Sequence, residues 1–224
     1  RDLTASESIE HSRRMAEMKA IRERELAEKR ADAADNAAEI WESASQASDD
    51  HPYLVRKQIS ASGLKVAGDG RLIAPLLIAG EIVSLQYIAA DGMKLFLKGG
   101  RTAGASWLIG EHQGAETYYV AEGVATGLTI FEVTGQPVAI AYSASNMTAT
   151  AKALREYAGD TARIVIVADN DTSGTGQTEG KKAAEAIGAT LVIPPSQGQD
   201  VNDYVNDGGD LLALLNPPAE SGYL

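Results

Sequence analysis

From Thr117 onward the chain alternates short apolar runs with helical stretches, and this rhythm constrains its fold more than any other feature. Tyr118–Ala121, Val138–Ala141, Arg163–Ala168 and Thr190–Ile193 read as strands. Thr126–Val133, Thr148–Tyr157 and Thr178–Ile187 read as the helices between them. Such alternation implies a parallel sheet flanked by helices, with right-handed crossovers. In open sheets of this kind the ligand site lies off the carboxyl ends of the strands.

That rule directs attention to the residues leaving those ends. The first strand runs out through Val120-Ala121-Glu122-Gly123, the third through Val167-Ala168-Asp169-Asn170-Asp171. Neighbouring strands lie about 4.8 Å apart, so Glu122 and Asp169 can share an ion if their strands are adjacent. Asp169 and Asp171 can face the same way across Asn170, because side chains alternate along an extended chain. Carboxylates this close call for a counter-cation, and Mg2+ suits, taking one or two carboxylates together with waters and substrate phosphates. After the last strand, Gln197-Gly198-Gln199-Asp200-Val201-Asn202-Asp203-Tyr204 offers Asp200 and Asp203 as extensions of the same acidic rim. The plain alternative for every one of these residues is a turn or a helix N-cap.

The preceding residues differ in character. Residues 5–47 are rich in Ala, Glu, Arg and Lys and contain neither Gly nor Pro, which predicts a long helix. Thr4-Ala5-Ser6-Glu7 fits a capping box at its start. Ile9, Met15, Met18, Ile21 and Leu26 form only a ragged stripe, so a solvated connecting helix is expected rather than a coiled coil. Asp50 is placed to cap a short helix over Tyr53–Gln58. Leu72–Ile78, Ile82–Ala89 and Met93–Leu97 then read as an antiparallel meander, with Ala79-Gly80 and Asp91-Gly92 at its turns. The expectation is therefore an α/β chain in three parts: a helical segment 1–50, a small antiparallel α+β unit 51–114, and a parallel-sheet unit 115–224.

Charge follows the same division. The net charge is −11, yet residues 51–114 hold 7 basic and 4 acidic side chains while residues 115–224 hold 5 and 14. A basic middle and an acidic last part suit a protein that grips phosphates with one and divalent cations with the other. The absence of cysteine excludes disulfides, thiol catalysis and cysteine-ligated metal sites. No apolar run approaches the ~18 residues of a membrane span, and no signal peptide is visible, so a cytoplasmic protein is expected. The chain begins at Arg1, as expected of a piece of something longer.

Rival motifs fail on spacing. Ser173-Gly174-Thr175-Gly176-Gln177-Thr178-Glu179-Gly180-Lys181-Lys182 invites a phosphate-loop reading, but five residues separate Gly174 from the Gly-Lys pair, three separate Gly176 from it, and Lys182 replaces the required Ser or Thr. A dinucleotide fingerprint needs Gly where Glu179 stands. His11, His51 and His112 share no ligand spacing, and Ser143 and Ser145 have no base nearby in sequence.

Glu122-Gly123 followed by Asp169-Asn170-Asp171 resembles the signature of the Toprim domain, shared by bacterial-type DNA primases, topoisomerases and some nucleases. The resemblance is strongest to primase-like proteins of phages and plasmids, which often also carry a helicase. Gly180-Lys181-Lys182-Ala183-Ala184 is similar to the helix that follows their acidic pair. Gly198-Gln199-Asp200-Val201-Asn202-Asp203-Tyr204 is similar to a later turn of theirs, with Gln199 in place of Lys. Cellular primases tend to carry Asp at the positions of Asn202 and Thr126. His51-Pro52-Tyr53-Leu54, Leu72-Ile73-Ala74-Pro75-Leu76, Ser84-Leu85-Gln86-Tyr87-Ile88 and Asp91-Gly92-Met93-Lys94-Leu95-Phe96 resemble the first part of a primase core.

This resemblance implies a Toprim-type sheet and a DNA primase that makes short RNA primers on single-stranded DNA from ribonucleoside triphosphates. It implies catalysis by Glu122, Asp169 and Asp171 with Mg2+, or Mn2+ as a substitute, held by Asp169 and Asp171, with Glu122 as a further ligand or an acid–base group and Asp200 and Asp203 as further candidate ligands. It also implies a basic ridge for nucleotide and template phosphates, for which Arg71, Lys94, Lys98 and Arg101 are the candidates, and association with a replicative helicase. The alternatives it leaves open are a DNA-cleaving Toprim nuclease or topoisomerase and a non-catalytic Toprim module that binds DNA or a partner.

Overall fold

The computed structural model describes residues 5–216, with side chains from Glu10 onward. Helix α1 covers Ala5–Ser43 and is exposed over most of its length, its Thr4 cap lying outside the described residues. Only its last turns pack. Ala33 and Ala37 are buried, and Ile40 and Trp41 join Ile73, Leu85 and Tyr87 in a small apolar cluster. The helix ends earlier than residue 47 because Ser45–Gln46 turn into a short strand, β1.

Helix α2 (Pro52–Lys57) follows. Its cap is His51 rather than Asp50: Nδ1 accepts from the Tyr53 N–H at 3.2 Å, while Nε2 faces the Gly70 carbonyl at 3.1 Å. Those two partners require the proton on Nε2. Strands β2 (Lys65–Val66), β3 (Leu72–Ile78), β4 (Glu81–Ile88) and β5 (Lys94–Phe96) continue the first sheet, which runs antiparallel in the order β1-β2-β3-β4-β5. Ala79 and Gly80 both take positive φ at the β3–β4 turn. The β4–β5 turn is wider than a two-residue hairpin, with Ala89 and Met93 paired across it and Gly92 at φ +93°.

Strand β6 (Trp107–Ile109) leaves this sheet and joins the next. The second sheet adds β7 (Thr117–Ala121), β8 (Val138–Ile140), β9 (Arg163–Val167) and β10 (Thr190–Val192), in the order β10-β9-β7-β8-β6. Helices α3 (Val124–Thr134), α4 (Met147–Ala158) and α5 (Thr175–Ile187) supply the crossovers, and α6 (Val201–Asn206) and α7 (Leu211–Leu215) close the described chain. The sheet is mixed rather than wholly parallel, because β6 pairs antiparallel with β8. Trp107-Leu108-Ile109 has no helix before it in the strand–helix rhythm, which is why the alternation does not reveal it.

Apolar side chains alternate across the second sheet. Tyr119, Ala121, Val165 and Val167 face α3, α6, α7 and the first sheet, while Tyr118, Val120, Ile164 and Ile166 face α4 and α5. The two sheets are joined by buried polar contacts. Asn146 donates to the Ala105 and Ala141 carbonyls at 2.7 and 2.9 Å and accepts from the Gly104 N–H at 2.8 Å. Tyr142 donates to the Pro75 carbonyl at 2.6 Å, and Phe96 meets its ring edge-on at 6.3 Å. These contacts lay β5 beside the carboxyl ends of β7, β8 and β9. Among the described residues no helix is long and apolar enough to cross a membrane.

Candidate active site

Strand β7 sits between β8 and β9, so the chain moves to one side after α3 and to the other after α4. That reversal makes the β7–β9 boundary the switch point of the sheet, where the crossovers diverge and leave a crevice. Strands β7 and β9 are paired in parallel with Ala121 opposite Val167. Glu122 is the next residue on one strand and Asp169 lies two beyond the end of the other. The register therefore brings the two carboxylates to the same lip.

Both are held above the usual carboxylate range. Burial is the main cause for Glu122, with Asp171 adding to it, while the Ala144 N–H and the Lys94 ammonium oppose it. Asp169 is pushed up to about 7, first by burial and then by the negative charges of Glu122 and Asp200, against the pull of Lys94. Its Oδ1 is buried and has no hydrogen-bond partner among the described residues. A buried carboxylate oxygen normally finds a donor, which sets this one apart.

Asp171 differs. Ser173 Oγ and the Thr175 N–H donate to its Oδ1 at 2.7 and 3.2 Å, and the Gly176 N–H donates to Oδ2 at 2.6 Å. These donors, Ser173 foremost, hold its carboxyl below the usual value. Asp171 thus ties down the first turn of α5, the capping role that was the plain alternative for this residue type. Gly176 makes the approach possible, since a Cβ there would sit 2.5 Å from the Asp169 carbonyl oxygen and 2.9 Å from Asp171 Oδ2.

The loop after β10 is clamped onto the same lip. The Asn170 N–H donates to the Gln199 carbonyl at 3.1 Å, the Gly198 N–H to the Asn170 carbonyl at 2.5 Å, and Asn170 Nδ2 to the Pro194 carbonyl at 2.8 Å. Asp200 is carried with it into the field of Asp169, and its side chain caps α6 by accepting from the Asp203 N–H at 2.7 Å. Asp200 and Asp203 have their own counter-charge: Lys57 Nζ lies 3.6 Å from Asp200 Oδ2 and 2.8 Å from Asp203 Oδ1. Burial works against the Lys57 charge, but Asp203 and Asp200 outweigh it and raise its pKa.

The four basic candidates do not form one ridge. Lys94 Nζ sits 3.8 Å from the point a Cβ on Gly123 would occupy, within the field of Asp200, Asp169 and Glu122 and of the like-charged Lys57. Although the side chain as a whole is exposed, the surroundings of its ammonium are poorly solvated, and this holds its pKa below that of an ordinary lysine. Arg71 is elsewhere. It makes a 2.6 Å ion pair with Asp69 and lies 4.2 Å above the Tyr87 ring, on the side of the first sheet that faces α1. Residue alternation explains it: Leu72 and Ile88 point to the second sheet, so Tyr87 and its stacked guanidinium point away. Lys98 is exposed beyond the end of β5, and Arg101 is exposed with Nε donating to the Ala103 carbonyl at 3.0 Å.

Sequence reading missed Lys57, which lies 146 residues before its partner Asp203. Nothing local distinguishes it from other lysines. Its reverse is Lys94, which the family resemblance offers as a ridge residue but which stands in the field of the carboxylates.

Residues 117–210, which hold the crevice and its acidic lip, match the model of the Toprim domain. The chain is 31% identical over 156 residues to DNA primase TraC of Escherichia coli, a stretch covering 64% of this chain and 15% of that protein. The chain thus spans only a small part of that curated relative's length. Its fold is similar to the crystal structure of the RNA polymerase domain of Mycobacterium tuberculosis primase DnaG, with a TM-score of 0.54 at 16% identity over 86% of this chain and 83% of that one. The same domain in complex with double-stranded DNA gives 0.54 at 15% identity, covering 86% and 80%. Residues 117–210 are thus similar to the Toprim domain, and the fold that carries them is similar to that of these primase polymerase domains.

Proposed function

We propose that this chain is the catalytic core of a DNA primase that joins ribonucleoside triphosphates into short RNA primers on single-stranded DNA, using Mg2+ or Mn2+. The observation that carries the reading is the unpartnered, buried Oδ1 of Asp169 beside Glu122 at the switch point of the sheet. Among the described residues, no three His, Asp or Glu side chains converge closely enough to cage an ion. The pair Asp169 and Glu122 is nevertheless compatible with Mg2+, which takes one or two carboxylates and completes its shell with water and substrate phosphate. Asp169 and Glu122 would hold it, with Asp171 and Asp200 supplying negative potential from either side.

The chemistry such an ion would supply there is easier deprotonation of an attacking 3′-hydroxyl and neutralisation of the leaving pyrophosphate. The chain's own residues do the remainder. Asp169 and Glu122 orient the acidic lip, the Asp171 cap holds the loop between them and α5, and Lys94, Lys98 and Arg101 face phosphate. Contacts of this kind to a nucleic-acid backbone bring strong salt dependence and weak sequence preference. A cytoplasmic location and docking to a replicative helicase belong to the same reading.

The test is primer synthesis on single-stranded DNA and extension of a pre-annealed RNA primer, with Mg2+ or Mn2+. Asp169→Asn is expected to lower both by at least about a hundredfold, the scale on which a removed transition-state contact acts. Undiminished extension by Asp169→Asn removes the reading, and metal-dependent strand scission in place of extension replaces it with a nuclease.

A further inference from the structure

Three features of the first sheet bear on Lys94. In β5 it lies opposite Ile88, whose side chain is in the core between the sheets, so the register aims Lys94 at the strand ends of the Toprim domain. Phe96, on the same face, meets Tyr142 at 6.3 Å and anchors the strand there. The Lys94 ammonium then reaches to 3.8 Å from the Cβ position of Gly123, the residue after Glu122. Glycine at 123 leaves that space open.

The ammonium is nevertheless unlatched. Among the described residues no carboxylate oxygen lies within 4.0 Å of it, whereas Lys57 pairs at 2.8 and 3.6 Å. A lysine ammonium is a compact point charge on a flexible four-carbon stem, so it can change partners without moving the backbone. The Lys94 ammonium feels the charges of Asp200, Asp169 and Glu122, with Lys57 as a like charge beside it, and is paired with none of these carboxylates among the described residues, so it offsets their mutual repulsion and remains displaceable.

We propose that Lys94 is a tethered counter-cation of the carboxylate site, which weakens the binding of a bare divalent ion and strengthens that of the same ion carried on a triphosphate. This rests on the metal-site reading above. A free divalent cation meets the ammonium as a like charge. The ion–triphosphate complex carries net negative charge, and the ammonium turns from competitor to partner. The chain thereby selects the loaded nucleotide over the free ion. Removing one unit charge a few ångströms from a divalent ion changes its affinity by about tenfold even at the dielectric of water.

The experiment measures Mn2+ binding by the paramagnetic resonance of the free ion, and Mn2+·ATP binding by calorimetry. The chains are wild type, Lys94→Met, Lys94→Arg and, as a net-charge control on the exposed face of α4, Lys152→Met. Lys94→Met is expected to bind bare Mn2+ about tenfold more tightly and Mn2+·ATP about tenfold more weakly. Lys94→Arg and Lys152→Met should stay within twofold of wild type, as should any change due to net charge alone. A merely structural lesion weakens both ligands, so tighter ion binding is the result it cannot produce. Bare Mn2+ affinity that is unchanged or reduced in Lys94→Met overturns the proposal. If Lys94→Met does not fold, Lys94→Gln must show the same tightening. Asp169→Asn separates the two levels: if it binds Mn2+ as wild type does, the carboxylate reading fails, and the role of Lys94 with it.

Discussion

Asp169 and Asp171 stand two residues apart in one motif and live in opposite environments. Asp169 leaves a buried strand end, beside Glu122 and Asp200, and keeps an oxygen with no donor among the described residues. Asp171 has entered the loop, where Ser173, Thr175 and Gly176 donate to it. Burial and like charge raise the first carboxyl to about 7, and hydrogen bonds lower the second. The same residue type is thus a buried, unpaired carboxyl at one position among the described residues and a structural cap at the next but one. What separates them is whether the backbone offers N–H groups, which the end of β9 does not and the first turn of α5 does.

The sharpest way to break this contrast is to exchange the two losses. Asp169→Asn should cost at least about a hundredfold in nucleotidyl transfer while raising the thermal midpoint of the metal-free protein, since a charge in a repulsive field is removed. Asp171→Asn should do the reverse to stability and lower the midpoint; equal midpoints for the two variants would erase the distinction.

Opposite pH dependence follows. Asp169 binds its proton more tightly folded than unfolded, so the stability it contributes is full below its ordinary value of 3.8 and is lost as pH rises towards about 7. Asp171, with its carboxyl lowered, contributes stability above 3.8 that is lost as pH falls below it. Urea unfolding of the metal-free chain should therefore show stability falling between pH 4 and 7, on the order of a few kcal/mol at most. Asp169→Asn should flatten that slope, and Mg2+ should restore stability at the upper end.

Gly176→Ala tests the hinge shared by both residues. A Cβ within 2.5 Å of a backbone oxygen forces a shift, expected to cost roughly 1–3 kcal/mol of stability in denaturant melts. Divalent-ion affinity should weaken in parallel. The smallest effect belongs to the neighbouring pair of acids. Lys57→Met leaves Asp200 and Asp203 without their cation and is expected to cost about 1 kcal/mol, because the pair is only partly shielded from water. A loss above 3 kcal/mol would mean that Lys57, too, belongs to the centre of the site.

Much of this arrangement is legible without coordinates. Leu72–Ile78 appears as a strand at the expected residues, and Arg163–Val167 lies within the run that predicts it. Both are apolar stretches bounded by turn residues, so local pattern and burial agree. Asp91-Gly92 marks a turn correctly but not its size, since the three-residue loop depends on how β4 and β5 register. His51 displaces Asp50 as a cap because Gly70, far along the chain, fixes its ring. Trp107–Ile109 becomes a strand only because β8 offers an edge.

The order of residues alone dictated that acidic side chains would leave the strands of a helix-flanked sheet, because periodicity and turn chemistry are local. Which acid would stay unpaired, which would be capped, and which lysine would stand among them were settled by the folded chain. Those outcomes depend on donors and charges brought together from residues 57, 94, 122, 169 and 200, and electrostatic fields act through space, with no trace in the spacing of the residues that feel them.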